Sequence, residues 1–124
     1  MSGSNYLFDT NALISFLQGN PQLNKFVSAT SLGISIISVL EFLSFNGVPE
    51  DDKKLLLDFM KKVRLFELNL HDLQLIDTIT SVRISYKLKL PDAIIAGTAI
   101  RFDAVLITND KDFAGIPSLN ILTF

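Results

Sequence analysis

The chain has 124 residues, of which 48% are hydrophobic and 19% charged, so it can form one core and is not a disordered or low-complexity chain. It contains no Cys and one His, which excludes disulfides, thiolate metal sites and multi-histidine sites, so any metal must be held by oxygen. Its net charge of −2 is unusual for a nucleic-acid-binding protein.

The N-terminal segment carries no targeting signal. Residues 1–4, Met-Ser-Gly-Ser, read as an expression remnant, and we expect residues 5–124 to form one domain. The longest apolar stretch, Leu32–Phe45, includes Glu41 and is too short to cross a bilayer. We therefore expect a cytoplasmic protein with no membrane segment.

Short apolar runs alternate with longer amphipathic ones, a pattern typical of α/β proteins. The expected elements, in chain order, are a strand at Tyr6–Phe8, a helix at Ala12–Leu17, a helix around Gln22–Ser28, a strand at Leu32–Ser35, a helix at Ser38–Phe45, a helix from Pro49 to a basic end at Lys61, Lys62 and Arg64, a strand at Leu65–Leu68, a helix at His71–Tyr86, a helix at Pro91–Phe102, a strand at Ala104–Thr108, a turn at Asp110–Ala114 and a strand at Asn120–Leu122. This order predicts a short parallel sheet of four to five strands with helices on both faces.

Two helices carry informative packing patterns. Leu75, Ile79, Val82 and Tyr86 recur at helical spacing, which predicts one buried face. The helix that starts at Pro91 has a surface of small residues around Gly97, so we expect a neighbouring element to approach it closely.

Four acidic residues from distant segments are expected at the same edge of the sheet. Asp9 follows the first strand, Asp110 follows the fourth, and Glu41 opens the helix after the second. Asp92 opens the helix that runs back to the start of the fourth strand. Ligands bind outside the carboxyl ends of parallel strands, so this edge is the candidate site.

Each acid also has an ordinary structural explanation. These explanations are helix capping by Asp9 or Asn11, a capping box from Ser38 to Glu41, a helix-dipole contact of Asp92 and an Asx turn at Asp110. The shared context of the acids favours a functional role over capping, because Asp9, Glu41 and Asp92 are each the only acidic residue in an apolar run. Clustered carboxylates repel one another unless a cation intervenes. An all-oxygen cluster suits Mg²⁺ or Mn²⁺, which can activate water for attack at phosphorus.

The sequence resembles the PIN domain family, the fold of the VapC-type toxin ribonucleases. The segments that carry the resemblance are Leu7–Asn11, Ser38–Phe42, Leu90–Ala99 and Leu106–Phe113. The resemblance extends over nearly the whole chain, with these segments in the expected order and at the expected spacing. The resemblance implies a PIN-like three-layer α/β fold, a metal-dependent endoribonuclease that uses Mg²⁺ or Mn²⁺, a homodimer and a cognate antitoxin protein.

The resemblance also implies roles for individual residues. By motif position Asp9, Glu41, Asp92 and Asp110 are the catalytic and metal-binding acids, and Asp112 is close enough to Asp110 to replace it. Asn11 and Thr108 would be hydrogen-bonding partners of these acids.

Basic residues near the last two motifs offer a phosphate-binding surface. Without the four site acids, nine acidic residues remain against eleven basic ones, so the net charge does not exclude an RNA substrate. The candidates for RNA binding are Arg83, Lys87, Lys89, Arg101 and Lys111. The ordinary explanation for each is a solvated charge on a helix.

Two apolar stripes are candidates for a partner groove. They contain Phe16 and Leu17 on the first helix, and Leu56, Phe59, Met60 and Val63 on the helix after Pro49. The resemblance points to such a groove as the docking site of an antitoxin, whereas plain core packing is the alternative.

Other functions are weighed against the ribonuclease. One is an RNA-processing nuclease outside a toxin–antitoxin pair, another a non-catalytic binding module, and a third a phospho-receiver domain, which has a similar size and an acidic pocket. The receiver needs paired acids after the first strand, where this chain has Asp9 alone. His71 beside Asp72 is not expected to be a catalytic base, because no spacing supports a triad.

Overall fold

A computed structural model describes residues 5–28 and 31–124, so the expected remnant at 1–4 lies outside the described residues. The elements, in chain order, are β1 (Asn5–Phe8), α1 (Thr10–Leu17), a 3₁₀ turn (Pro21–Leu23), α2 (Asn24–Val27), β2 (Ser31–Ser35), α3 (Ile36–Leu43), α4 (Glu50–Met60), β3 (Arg64–Phe66), α5 (Leu73–Tyr86), α6 (Leu90–Arg101), β4 (Val105–Ile107), a second 3₁₀ turn (Lys111–Phe113) and β5 (Ile121–Leu122). Within these ranges no helix is long and apolar enough to cross a membrane.

The five strands form one parallel sheet in the order β3-β2-β1-β4-β5. The central strand β1 pairs with β2 on one side and β4 on the other, with Leu7 opposite both Gly33 and Leu106. The predicted parallel α/β sheet is therefore confirmed. A receiver domain has the order 2-1-3-4-5, so the receiver alternative is wrong.

Side chains alternate across the sheet and build a core on each face, because successive strand residues point in opposite directions. Leu7 and Leu106 join the core beneath α5 and α6, together with Ile79 and Ile95. Their strand neighbours Phe8 and Ile107 face the opposite core, which is covered by residues of α1, α2 and α4 such as Leu13, Phe26 and Leu56. The predicted three layers are thus helices, sheet and helices.

Helices α5 and α6 pack closely through Gly97. A Cβ atom built on Gly97 would lie 2.6 Å from Cγ1 and 2.9 Å from Cα of Ile79, so only glycine fits this contact. Lys87 ends α5 in the left-handed conformation, with φ of 54°. The turn returns the chain within three residues, and Leu88 is buried there. The start of α6 is thereby brought to the carboxyl edge of the sheet.

Three sequence predictions about the elements are wrong. Helix α3 begins at Ile36 rather than Ser38, because the Ser35 side chain accepts a hydrogen bond from the Ile37 N–H and starts the helix directly after β2. Tyr86 is 40% exposed, since α5 ends there, and Leu88 is buried instead. Arg64 does not belong to the end of α4 but opens β3.

Replacement of Gly97 by Ala tests the contact between α5 and α6. We expect Gly97→Ala to lower the free energy of unfolding by about 1–3 kcal/mol, because the added methyl group meets backbone atoms of Ile79. Urea denaturation measures the change. Ser81→Ala, on the exposed face of α5, is the control and should leave stability within about 0.5 kcal/mol. Equal stability of the two variants would contradict the close packing.

Candidate active site

A cavity of about 400 Å³ opens at the carboxyl edge of the sheet. Its lining residues are Asp9, Thr10, Asn11, Glu41, Ser44, Phe45, Asp92, Ile95, Asp110 and Phe113. The four predicted acids from four separate segments therefore line one cavity.

Asp9 is the most deeply placed of these acids, with 4% of its surface exposed. It follows β1 and precedes α1, and its Oδ1 accepts a hydrogen bond from the Ala12 N–H at 2.7 Å. Its Oδ2 accepts a hydrogen bond from the buried hydroxyl of Thr108, at the end of β4. The Thr108 hydroxyl oxygen also accepts the Asp110 N–H at 3.0 Å. The expected partnership between Thr108 and the acids is thus present as hydrogen bonds to two of them.

Glu41 reaches the cavity from a different position than expected. It lies in the last turn of α3 rather than opening the helix. The Thr10 hydroxyl donates a hydrogen bond to Glu41 Oε1, and the Thr10 Oγ1 is 3.2 Å from the buried Ser38 hydroxyl. Ser38 therefore supports the site from inside α3 instead of capping it.

Sequence reasoning missed Thr10, although the residue stands between Asp9 and Asn11. Asn11 also lines the cavity, but within residues 5–28 and 31–124 its side chain makes no hydrogen bond. The sequence did contain a signal for this role, namely a hydroxyl side chain directly after Asp9. Thr10 begins α1, and this position directs its side chain toward α3.

Three carboxylates form the tightest group. Asp92, Asp110 and Asp112 each offer an oxygen, and these oxygens lie within 4.8 Å of one another. Asp92 sits in the first turn of α6, and Asp110 caps the second 3₁₀ turn by accepting the Asp112 N–H at 2.9 Å. The sequence left open whether Asp110 or Asp112 is the fourth acid, and the structure brings both to Asp92.

The electrostatics of the cavity disfavour the ionised forms of Asp9 and Asp92. Burial raises the pKa of Asp9, and the nearby Asp110 and Glu41 raise it further, against the lowering effect of its hydrogen bonds. Burial also raises the pKa of Asp92, with added repulsion from Asp110 and Asp112 and partial relief from Lys89. A divalent cation would remove this repulsion, and the all-carboxylate donor set suits Mg²⁺ or Mn²⁺. The residues present therefore fit such an ion.

The predicted basic residues are not all near the cavity. Lys87 and Lys89 line a smaller cavity of about 190 Å³ together with Asp92 and Asp112. Lys111 is exposed between Asp110 and Asp112.

Two predicted basic residues lie elsewhere. Arg101 is at the other end of α6, about 14 Å along the helix from Asp92, and its Nε donates to Asp72 Oδ1 at 3.2 Å. Arg83 is exposed on α5 and is not among the lining residues of the two cavities that the acids line.

The candidate partner groove is largely filled by the chain itself. Leu56 is fully buried and Phe59 is 5% exposed, so their assignment to an exposed groove is wrong and core packing explains them. Phe16 packs on Phe59 with ring centroids 4.8 Å apart. Leu17, Met60 and Val63 are half-buried against the same core. His71 is exposed.

The fold and cavity define an α/β protein with a carboxylate cluster at the carboxyl edge of a parallel sheet. The sequence profile of the PIN domain family matches residues 6–119, and the chain belongs to this family of nucleases. No curated protein sequence matches the chain at a significant level.

Solved structures share the fold over almost the whole chain. A chain of a toxin–antitoxin complex from Klebsiella pneumoniae is 28% identical and superposes with a TM-score of 0.78, covering 96% of this chain and 97% of that one. VapBC2 from Rickettsia felis, bound to a DNA fragment from its promoter, gives 21% identity and a TM-score of 0.79 over 95% and 97%. PAE2754 from Pyrobaculum aerophilum is 19% identical and superposes with a TM-score of 0.68, covering 98% of this chain and 85% of that one. These similarities confirm the predicted PIN-like fold.

The raised pKa values make stability depend on pH in the absence of metal. The folded state holds protons on Asp9 and Asp92 that the unfolded state has released, so stability falls as pH rises from the ordinary value of 3.8 through the raised values. We expect Asp9→Asn to reduce this fall. Urea unfolding in EDTA across the pH range measures it.

The exposed acid Asp77 on α5 provides the control. Asp77→Asn should show the same pH dependence as the unmodified chain, because its carboxylate is solvated. If Asp9→Asn and Asp77→Asn behave alike, burial of Asp9 does not determine the pH dependence.

Proposed function

We propose that the chain is a metal-dependent endoribonuclease that hydrolyses RNA phosphodiester bonds and acts as the toxin of a toxin–antitoxin pair. The observation that carries the proposal is the convergence of Asp9, Glu41, Asp92 and Asp110 on one cavity. Membership of a nuclease family supports hydrolysis of a phosphodiester, and the toxin–antitoxin complexes among the similar structures support the toxin assignment.

The acids would hold Mg²⁺ or Mn²⁺, with Asp92, Asp110 and Asp112 as the compact ligand group and Asp9 and Glu41 facing the same space. When bound, such an ion lowers the pKa of water and stabilises charge on a phosphate. The side chains of the chain supply fixed geometry. Asp9 is oriented by Thr108 and the Ala12 N–H, and Glu41 by Thr10. Attack of water on phosphorus, with cleavage of the bond to the 3′ oxygen, would leave a 5′-phosphate and a 3′-hydroxyl.

A cationic side accompanies the acids in this proposal. Within the described ranges, neither Lys87 nor Lys89 has a carboxylate within 4.0 Å of its amino group, although both line the cavity shared by Asp92 and Asp112. Their charges are therefore available for RNA phosphates on that side of the ligand group. A cytoplasmic location, a homodimer and an antitoxin partner complete the proposal, and the toxin–antitoxin complexes among the similar structures support the partner.

Replacement of Asp9 tests the proposed chemistry. We expect single-stranded RNA to be cleaved with Mn²⁺, cleavage to stop with EDTA, and Asp9→Asn to lower the rate by about a hundredfold or more, since a fixed carboxylate is lost from the reaction site. Gel analysis of labelled RNA measures the rate. Asp77→Asn is the matched control and should retain full activity. Equal cleavage by Asp9→Asn would refute the assignment. Metal-dependent thermal stabilisation without any cleavage would favour a non-catalytic binding module.

Lys89 tests the proposed phosphate contact. We expect Lys89→Ala to raise KM for RNA with little change in kcat, and to reduce the dependence of log affinity on log salt by about 0.7 for a single-stranded substrate. Steady-state kinetics at several salt concentrations measure both effects. Lys62→Ala removes an exposed charge after α4 and should change neither quantity. An unchanged salt dependence in Lys89→Ala would exclude the contact.

A further inference from the structure

Phe45 is unlike the other nine phenylalanines of the chain, because all of those are buried or half-buried. It is 55% exposed and belongs to neither hydrophobic core. Within the described residues its ring packs against no other aromatic ring. Folding of the chain therefore does not explain a large apolar ring at this position.

The position of Phe45 connects it to the acidic cavity. The residue follows the end of α3, and its N–H donates to the Phe42 carbonyl at 3.4 Å. It comes four residues after Glu41 in the chain. Both side chains line the cavity that holds Asp9 and Asp92.

Phe45 also borders a second cavity, of about 320 Å³. The lining residues of this second cavity are Ile14, Gln18, Phe42, Phe45, Asn46, Gly47, Val48, Pro49 and Asp52. Phe45 is therefore shared by the linings of a space that contains the carboxylates and of a space of mixed polar and apolar character.

We infer that Phe45 is a stacking platform for a nucleobase next to the scissile phosphate of single-stranded RNA. The inference rests on the proposed ribonuclease function. A phosphate held at the carboxylate cluster through a cation leaves its attached nucleoside within reach of the neighbouring ring. Unstacked RNA bases pack on exposed aromatic side chains, and any base offers the required face.

The neighbouring groups favour a nucleotide over a protein segment on this ring. Phe45 lines the space that contains the acids, where the substrate of the proposed reaction would lie. The second cavity adds the side-chain amides of Gln18 and Asn46, which can donate to and accept from the edge of a base. Phe45 would thus hold the base by its face, while these amides contact its edge.

Binding of RNA without cleavage tests the inference. In an Asp9→Asn background, a labelled single-stranded RNA is titrated in Mn²⁺ and binding is followed by fluorescence anisotropy. We expect Phe45→Ala to weaken binding roughly five- to 150-fold, the range for loss of one base–aromatic stack. Phe45→Tyr keeps a ring and should retain most of the affinity. Leu40→Ala is the matched control, because Leu40 is an apolar residue of α3 that is 52% exposed and does not line the acidic cavity, and it should bind as the background does.

A spectroscopic variant reports the contact directly, because the chain has no Trp. With Phe45→Trp in the same background, RNA should quench the Trp fluorescence, whereas a fully abasic oligonucleotide of the same length should not. Unaltered affinity in Phe45→Ala, or equal loss of affinity for intact and abasic RNA, would overturn the inference. RNA binding without quenching would also overturn the inference and would favour a protein partner as the occupant of the ring.

Failure of the inference and failure of the proposed function are distinguishable. If the unmodified chain cleaves RNA with Mn²⁺ and Phe45→Ala has unchanged KM and affinity, the ribonuclease proposal stands and the stacking platform is wrong. If RNA quenches the Phe45→Trp signal but the unmodified chain never cleaves RNA, base stacking is supported and the hydrolytic function is wrong.

Discussion

The hydrogen bonds of one buried carboxylate, that of Asp9, tie the carboxyl ends of two neighbouring strands to the start of a helix. One oxygen accepts the Ala12 N–H of α1, and the other accepts the hydroxyl of Thr108 at the end of β4. Thr108 in turn accepts the Asp110 N–H. The orientation of two acids is therefore set by the same strands that form the centre of the sheet, and the site depends on the pairing of β1 with β4.

This arrangement has an electrostatic cost that the fold alone does not relieve. Burial and neighbouring carboxylates raise the pKa values of Asp9 and Asp92. A chain selected only for stability would replace such acids by amides or apolar groups, because a buried charge without a partner is unfavourable. A divalent cation held among these carboxylates would relieve this cost, which is why the arrangement fits the proposed metal site.

The sequence predicted the parallel sheet and the edge at which the acids meet, because these follow from alternating apolar runs and from the ends of parallel strands. It did not predict the start of α3. Ser38 with Glu41 satisfies the capping-box pattern, which suggests a helix start at Ser38. The N-cap is instead Ser35, three residues earlier, because the pairing of β2 with β1 ends at Ile34 and the helix starts directly after the strand. The exposure of Phe45 could not be predicted either, since it depends on how the chain leaves α3.

The structural and functional explanations of the acids turn out to describe the same atoms. Asp9 caps α1 and Asp110 caps a 3₁₀ turn, as their ordinary propensities predict, and both line the cavity. A capping hydrogen bond occupies one oxygen of each carboxylate, whereas a carboxylate can accept about four. Capping therefore does not compete with metal binding. The capping hydrogen bond fixes the direction of the carboxylate and leaves its other acceptor sites free. An acid at the end of a strand can therefore be a helix cap and a metal ligand at the same time.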